Sequence, residues 1–546
     1  MRAGMIAGQG VSQDTEDADD VDGRVSHRWQ NAQSFEAGSA QEYGISDFLV
    51  FLRRFPGETL ISMLFLLLAF GQKLFTNRFS IDTQSMIQRS DYLYESWFKL
   101  ERFGLVWMKR LIGVSWYNNA LASFLMVVLL GVAAVVWAYL FYGVSADKQT
   151  FHPAFFMIPF VASPVMAEQL GFLLQGPEID ISMMLVAVSL MFLVNGMRKK
   201  SWWRCALSIF FAAFAFSAYA AMITMFVPAV AMMVLFQCRH QKNMGRKPWV
   251  FIGVSAVVCL LAYVMYFGVN KIVMKAMGVN ANAYISDQSR WGTDSLRTIM
   301  NAIEQHFAQM YKGQGIYYSL LFAILAAVFV AYVLVLALCR KVSPFYLIIA
   351  FLVYLSPMLM TVILGSGALV RTEISYPLAF AFVMLFIGDE LCGLRVKVGS
   401  VFACLLVLVV GLNQGFITNR IFYTESVVYD QDVLLSRSIA DRIGELGDGE
   451  IPREPVVFEG SHASSCNKDC FSTDQIDLVG RSLFDITFST QHGTWVKDQF
   501  MGAQGFQYSF PTAKQIENAD AKAEHLPLWP AKGSVAKEEG YIIVNF

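Results

Sequence analysis

Asp82 is the acidic side chain best placed for acid–base chemistry. It lies in a polar, aromatic-rich segment, residues 78–118, between two apolar runs that each resemble a membrane span. Asp82 follows the first run by only about one helical turn, which places a carboxylate at the membrane surface. There it can take the proton from an attacking hydroxyl. A structural role stays open, because Asp82 also precedes an apolar-periodic helix, and Asp is a favoured N-cap residue.

Three further charged residues are expected on the same side of the membrane. Glu178 and Asp180 lie in a short connection, QGPEIDIS, between two apolar runs. With Asp82 they can gather around an acceptor sugar or a cation, or they can cap the helix that follows. Arg371, in GSGALVRTEISY, matches a phosphate in geometry and charge. Snorkelling to the surface or pairing with Glu373 are its structural alternatives.

The elements that carry these residues are membrane helices. Of the 546 residues, 55% are apolar and 16% charged, whereas soluble domains carry about 25% charged residues. Together with a mean hydropathy of +0.46, this composition predicts an all-α polytopic membrane protein. The net charge of −1 offers no basic field for nucleic acid.

The apolar runs predict about eleven membrane spans. They lie near residues 60–77, 119–142, 152–174, 181–197, 204–218, 220–237, 248–268, 317–338, 344–364, 376–394 and 399–417. Short loops crowded with Lys and Arg, such as 198–204 and 239–247, are predicted to be cytoplasmic. The N-terminus is then inside and the C-terminus outside. Residues 1–45 are acidic and lack the pattern of a cleaved signal peptide, which predicts a disordered cytoplasmic tail.

The predicted orientation puts three segments on the outer face. The loop 78–118 contains two amphipathic helices, one over residues 83–98 and one after Gly104, suited to the membrane interface. The loop 269–316 contains an amphipathic helix within SLRTIMNAIEQHFAQM. The C-terminal region, 421–546, alternates turn residues with short apolar runs (PVVFEG, RSLFDITF and GYIIVNF), which predicts a small mixed α/β domain beyond a membrane domain of residues 46–420.

The spacing of two cysteines and the absence of several known motifs limit the kinds of site that the sequence can form. Cys466 and Cys470, in CNKDC, favour a disulfide on the outer face over a metal site, which would need more ligands. No spacing elsewhere defines a metal site, and a divalent cation, Mg²⁺ or Mn²⁺, stays an open cofactor. The chain has no phosphate-binding loop of the Walker type, no G-x-S-x-G and no H-E-x-x-H. Polar residues concentrate at the outer rim, which favours surface chemistry over passage through the membrane.

The layout resembles the GT-C superfamily of multi-span glycosyltransferases and, within it, the bacterial O-antigen glucosyltransferase type II (Gtr-like) family. The resemblance covers residues 50–440 and is carried by FSIDTQ around Asp82, LERFGLVWMKRLIG, QGPEIDIS, FSAYAAMITMFVPA and RTEISYPLAF. It implies transfer of a sugar, expected to be glucose, from an undecaprenyl-phosphate donor to a surface polysaccharide such as O-antigen. The reaction would take place on the outer face of the bacterial cytoplasmic membrane.

The resemblance also implies roles for single residues. Asp82 would be the general base, Arg371 and Arg102 would bind the lipid phosphate, and Glu178 and Asp180 would orient the acceptor or a cation. Two other classes compete: a flippase or transporter for lipid-linked sugars, and a non-catalytic assembly protein that binds wall polymer. Sugar transfer by the purified protein separates the enzyme from both.

Overall fold

The structure is a computed structural model that describes residues 42–112, 118–239, 241, 245–282, 287–394, 396–447 and 453–546. Most of the predicted N-terminal tail, residues 1–41, lies outside the described residues. The last residues of that segment are packed rather than disordered. The Tyr43 hydroxyl donates to the Leu140 carbonyl (2.6 Å), and the Asn195 side chain bonds both the amide and the carbonyl of Tyr43.

Helices form most of the described residues between 42 and 447. In the first half they are α1 (Ile45–Arg54), α2 (Pro56–Phe75), α3 (Thr83–Lys99), α4 (Phe103–Ile112), α5 (Asn119–Val144), α6 (Ala154–Ala162), α7 (Pro164–Leu170), α8 (Gly176–Lys199), α9 (Trp202–Ala218) and α10 (Ile223–Gln237). They continue with α11 (Arg246–Met277), α12 (Leu296–Tyr311), α13 (Leu320–Leu338), α14 (Pro344–Leu355), α15 (Leu359–Leu364), α16 (Ser375–Cys392) and α17 (Lys397–Gly444). Short 3₁₀ turns precede α8, α10, α15 and α16.

Nine helical segments in the described part of the chain are long and apolar enough to cross a membrane, which indicates a multi-pass membrane protein. Two predicted spans do not belong to this set. Residues 202–218 form a shorter apolar helix, α9. The predicted span 152–174 is interrupted, because Ser163 is extended and Pro164 begins a new helix, α7. The count of eleven stays a prediction.

The first predicted outer loop contains the two expected helices, α3 and α4. They do not lie free on a surface. Helix α3 packs against the C-terminal domain, where the ring centroids of Tyr92 and Trp495 are 4.6 Å apart. Helix α4 packs against α9, since Gly104 leaves no room for a Cβ beside Ser217. Both helices are therefore part of the protein core, which fixes the segment that carries Asp82.

The C-terminal region has the predicted mixed fold. Its elements are β1 (Val456–Glu459), α18 (Thr490–Ala503), α19 (Ala513–Ala523), β2 (Val535–Glu538) and β3 (Tyr541–Asn545). Strand β3 is central, parallel to β1 and antiparallel to β2. Two of the predicted apolar runs contain β1 and β3, whereas the third, RSLFDITF, forms turns and no strand.

Helix α17 joins the two parts of the molecule. It runs without a break over 48 residues, about 72 Å at 1.5 Å per residue. The domain boundary predicted at residue 420 falls inside this helix. A buried ion pair between Lys73 on α2 and Glu425 on α17 (2.6 Å) connects the two helices near the middle of α17. One apolar core extends from the membrane helices into the C-terminal domain.

Candidate active site

Asp82 occupies the N-cap position of α3 without capping it. Its backbone is left-handed, with φ of 74°, and its side chain makes no capping hydrogen bond. Asp tolerates this conformation better than most residues, but at a cost that is typical of functional sites. The half-buried side chain instead lines a small cavity together with Trp97, Phe172 and Gln175. The structural alternative from the sequence, a capping carboxylate, does not match this geometry.

The charge environment of Asp82 is set by burial and by three basic side chains. Burial raises the pKa of Asp82 above its ordinary value of 3.8, and Arg371, Arg102 and His492 lower it, in that order of effect. Asp82, Arg102 and Arg371 come from three separate places in the chain. The structure thus brings together three of the five predicted site residues.

Arg371 lies in the 3₁₀ turn Val370–Thr372 that precedes α16. Its guanidinium stacks over the ring of Phe172, 5.0 Å from the centroid. Glu373, which the sequence offered as a partner, is occupied elsewhere, because its buried carboxylate contacts His306 Nε2 (2.5 Å) and the Tyr318 hydroxyl (2.5 Å).

Arg102 lies between α3 and α4 and contacts Gln175, one of the residues that line the cavity. Its Nη1 donates to Gln175 Oε1 (3.5 Å), and its guanidinium lies 5.0 Å from the centroid of the Tyr219 ring. The Tyr219 hydroxyl donates to the Arg371 carbonyl (3.5 Å). Tyr219 therefore contacts both arginines, whose charges both lower the pKa of Asp82.

Glu178 and Asp180 are not in a loop, and this part of the prediction is wrong. The first turns of α8 contain both residues, because Gly176 and Pro177 start the helix there. Glu178 is fully buried and forms an ion pair with the buried Lys109 of α4, at 2.8 Å. Asp180 is also fully buried, and Glu178 is its charged neighbour. Neither acid is among the groups that shift the pKa of Asp82.

The C-terminal domain adds two residues that the sequence did not reveal. His492, in the first turn of α18, contributes to the charge environment of Asp82. Burial lowers the pKa of His492, and the nearby Asp82 opposes that shift. Asp477 lies in the loop between β1 and α18, where burial raises its pKa and Arg371 lowers it. A lone His and a loop Asp in a separate domain carry no sequence signal that links them to residues 82 and 371.

Glu168 on α7 holds the Asp477 segment in place. Its fully buried carboxylate accepts hydrogen bonds from the Leu478 amide (3.0 Å), the Val479 amide (3.3 Å) and the Tyr317 hydroxyl (2.9 Å). The Asp477 amide donates in turn to the Tyr317 oxygen (2.9 Å). A sequence signal did exist for Glu168, because an acid inside an otherwise apolar run is a mark of function or of a buried network.

A divalent cation at this site stays a prediction. Among the residues that the structure describes, no three His, Cys, Asp or Glu side chains gather at a spacing that could hold an ion. The positive groups beside Asp82 are arginines, which already supply the charge that a cation would bring to a phosphate.

The disulfide expected between Cys466 and Cys470 is confirmed, with the Cα atoms 6.0 Å apart.

Comparison with known proteins gives one match. The family model described as Glucosyl transferase GtrII matches residues 71–387, more than half of the 546 residues. No curated protein and no solved structure matches the chain. The matched range includes Asp82, Arg102 and Arg371, and it ends before Asp477 and His492. The chain therefore belongs to the glucosyl transferase GtrII family, as its resemblance to that family indicated.

Proposed function

We propose that this protein transfers glucose from a polyprenyl-phosphate donor to a cell-surface polysaccharide, on the outer face of the cytoplasmic membrane. The observation that carries the proposal is a small cavity lined by the uncapped carboxylate of Asp82. Two lining residues hold guanidinium groups there: Phe172 stacks with Arg371, and Gln175 accepts from Arg102. Family membership supports a glucosyltransferase. The crowding of bases in the short loops on the opposite side supports the outer-face assignment.

Asp82 is assigned the role of general base. It takes the proton from an acceptor hydroxyl as that oxygen attacks the anomeric carbon of the donor sugar. The new bond forms between this oxygen and the anomeric carbon, while the bond from the anomeric carbon to the phosphate oxygen breaks. The electron pair leaves with the lipid phosphate, and the proton on Asp82 passes to water. Direct displacement of this kind inverts the sugar carbon.

Arg371 and Arg102 are assigned to the leaving phosphate. A guanidinium pairs with phosphate oxygens through two parallel hydrogen bonds, and its charge stabilises the negative charge that develops as the phosphate departs. The Phe172 and Tyr219 rings hold the two guanidinium groups in place by cation–π contacts. The same arginines lower the pKa of Asp82, and so oppose the larger effect of burial, which raises it.

The test is sugar transfer by the purified protein in proteoliposomes. We expect label to move from polyprenyl-phosphate glucose to a lipopolysaccharide acceptor, and none to move from a soluble nucleotide sugar. Arg371→Gln should slow transfer by about tenfold to a hundredfold, the cost of a charge-assisted contact. Arg437→Gln, at an exposed position of α17, is the matched control and should behave as the wild type. Lipid scrambling without any sugar transfer would instead identify a flippase.

A further inference from the structure

The C-terminal domain contains a second cavity, separate from the one that Asp82 lines. Its volume is about 290 Å³, close to the lower end of the range for small-ligand sites. Four hydroxyl side chains, one carboxylate and one ring edge line it: Ser464, Ser472, Thr473, Ser482, Asp474 and Phe471. None of these residues belongs to the range that matches the family model.

The walls of this cavity are held rigidly. The buried carboxylate of Asp432 accepts hydrogen bonds from Ser464 Oγ, Ser482 Oγ and the Leu483 amide, each at 2.7 Å. On the opposite side, the Arg420 guanidinium binds the Asp469 carbonyl (2.7 Å) and the Cys470 carbonyl (2.9 Å), within the loop that the disulfide closes. A loop fixed at both ends in this way is preorganised, which lowers the entropic cost of binding.

The lining suits a neutral polyhydroxy ligand. Ser464 and Ser482 donate their protons to Asp432, which leaves their oxygens as acceptors. The Ser482 oxygen also accepts from the Phe484 amide (3.1 Å), so Ser464 has the greater capacity to accept from a ligand. Asp474 adds a carboxylate acceptor, and Thr473 adds a hydroxyl that can donate or accept. No lysine or arginine is among the described residues that line the cavity, which argues against a phosphate. Sugar hydroxyls are the ligand groups that such a lining recognises.

One short segment separates this cavity from the candidate active site. Ile476 and Gly480 line the cavity. Asp477 lies between them in the sequence, and the charge of Arg371 lowers its pKa. The Gly480 amide donates to Ser80 Oγ (3.4 Å), two residues before Asp82. Gly480 is left-handed, with φ of 90°, and a side chain there would be strained. The segment therefore links the wall of this cavity to the residues around Asp82.

We propose that this second cavity binds a sugar unit of the acceptor polysaccharide, next to the unit that is glucosylated. The inference rests on the proposed function, since it takes the acceptor to be a polysaccharide. It assigns the two substrates to different surfaces. The donor phosphate binds Arg102 and Arg371 beside the Asp82 cavity, and the acceptor binds the hydroxyl-lined cavity outside the family-matched range. The acceptor selectivity of this chain then resides in its C-terminal domain.

Saturation-transfer NMR on the full-length protein in detergent tests the proposal without any turnover. The probes are the methyl glycosides of glucose, galactose, rhamnose and N-acetylglucosamine, and inorganic phosphate is the competitor. We expect at least one glycoside to bind the wild type and Asp82→Asn equally, with no competition from phosphate. Thr473→Trp, which fills the cavity, should abolish binding. Asp474→Asn should weaken it by about tenfold, the value of one hydrogen bond to a charged group.

The control is Glu517→Gln, an exposed acid on α19, away from the cavity; it should bind as the wild type. In transfer assays, Asp474→Asn should raise the acceptor KM by about tenfold while the donor KM is unchanged. The proposal is overturned if no glycoside binds, if phosphate competes, or if a folded Thr473→Trp protein binds normally. If the glycosides bind through Thr473 and Asp474 but no sugar is transferred, the proposed function fails while the sugar site stands.

Discussion

At the scale of single residues, Asp82 combines a left-handed backbone with a half-buried carboxylate that makes no capping hydrogen bond. Asp82 and Arg371 were assigned to one side of the membrane because each lies beside an apolar run, and span ends on one side face the same compartment. Arg102 was named through the family resemblance, and the roles of all three stay predictions. The sequence could not distinguish a capping Asp82 from a free one, since the decision depends on a single backbone angle. His492 was missed because its approach to Asp82 is a tertiary contact between domains.

The pKa of Asp82 leads to a prediction about pH. A general base must be ionised, so kcat/KM should fall as the pH is lowered through the pKa of Asp82, which burial raises above 3.8. Arg102→Gln removes a positive charge that lowers this pKa, and the acidic limb should therefore move to higher pH. The position of the acidic limb is measured from the pH dependence of kcat/KM for the wild type and for Arg102→Gln. Arg437→Gln is the control, and a limb that stays in place or moves to lower pH in Arg102→Gln contradicts the assignment.

At the scale of elements, helix existence followed from periodicity, whereas helix starts depended on particular residues. The amphipathic patterns predicted α3, α4 and α12, and all three are present. The connection predicted at 175–180 is helical instead, since a Gly-Pro pair begins α8 there and carries Glu178 and Asp180 into the core. Pro164 likewise divides a run of apolar residues that reads as one span. A hydropathy profile detects neither of these two helix starts.

The ion pair between Glu178 on α8 and Lys109 on α4 predicts a stability effect. Both side chains are fully buried, so Glu178→Gln leaves an uncompensated charge and should lower the free energy of unfolding by about 3–5 kcal/mol. The double variant Lys109→Met/Glu178→Leu should recover most of that loss. Denaturant unfolding of the purified proteins provides the measurement. A Glu178→Gln protein of normal stability with a raised acceptor KM would point to acceptor binding instead.

At the scale of the whole molecule, the C-terminal domain packs against the candidate active site. Composition predicted a membrane protein with a small mixed domain at its end, and both are present. Their association was not predictable, because it depends on polar contacts between residues that are far apart in sequence. Glu168 and the amides of Leu478 and Val479 are the main example.

The hydrogen bonds of Glu168 lead to a prediction about what holds the C-terminal domain against the membrane helices. Glu168→Ala removes the acceptor of two amides and the Tyr317 hydroxyl, and hydrogen bonds to a charged group contribute about 1.5–3 kcal/mol each. Hydrogen exchange at Leu478 and Val479 should then accelerate by at least about tenfold, and sugar transfer should fall because Asp477 is released. Glu517→Ala, on the exposed face of α19, should change neither. Unchanged protection of these amides in Glu168→Ala would show that other contacts hold the segment.

The central claim is that the Asp82 carboxylate removes the acceptor proton, and one substitution tests it most directly. Asp82→Asn preserves the size of the side chain and removes its basicity. Transfer from polyprenyl-phosphate glucose should fall by about a hundredfold to ten-thousandfold, with donor binding and stability retained. Asp91→Asn, the same substitution at an exposed position of α3, should remain fully active. An Asp82→Asn protein that transfers glucose at the wild-type rate would contradict the account.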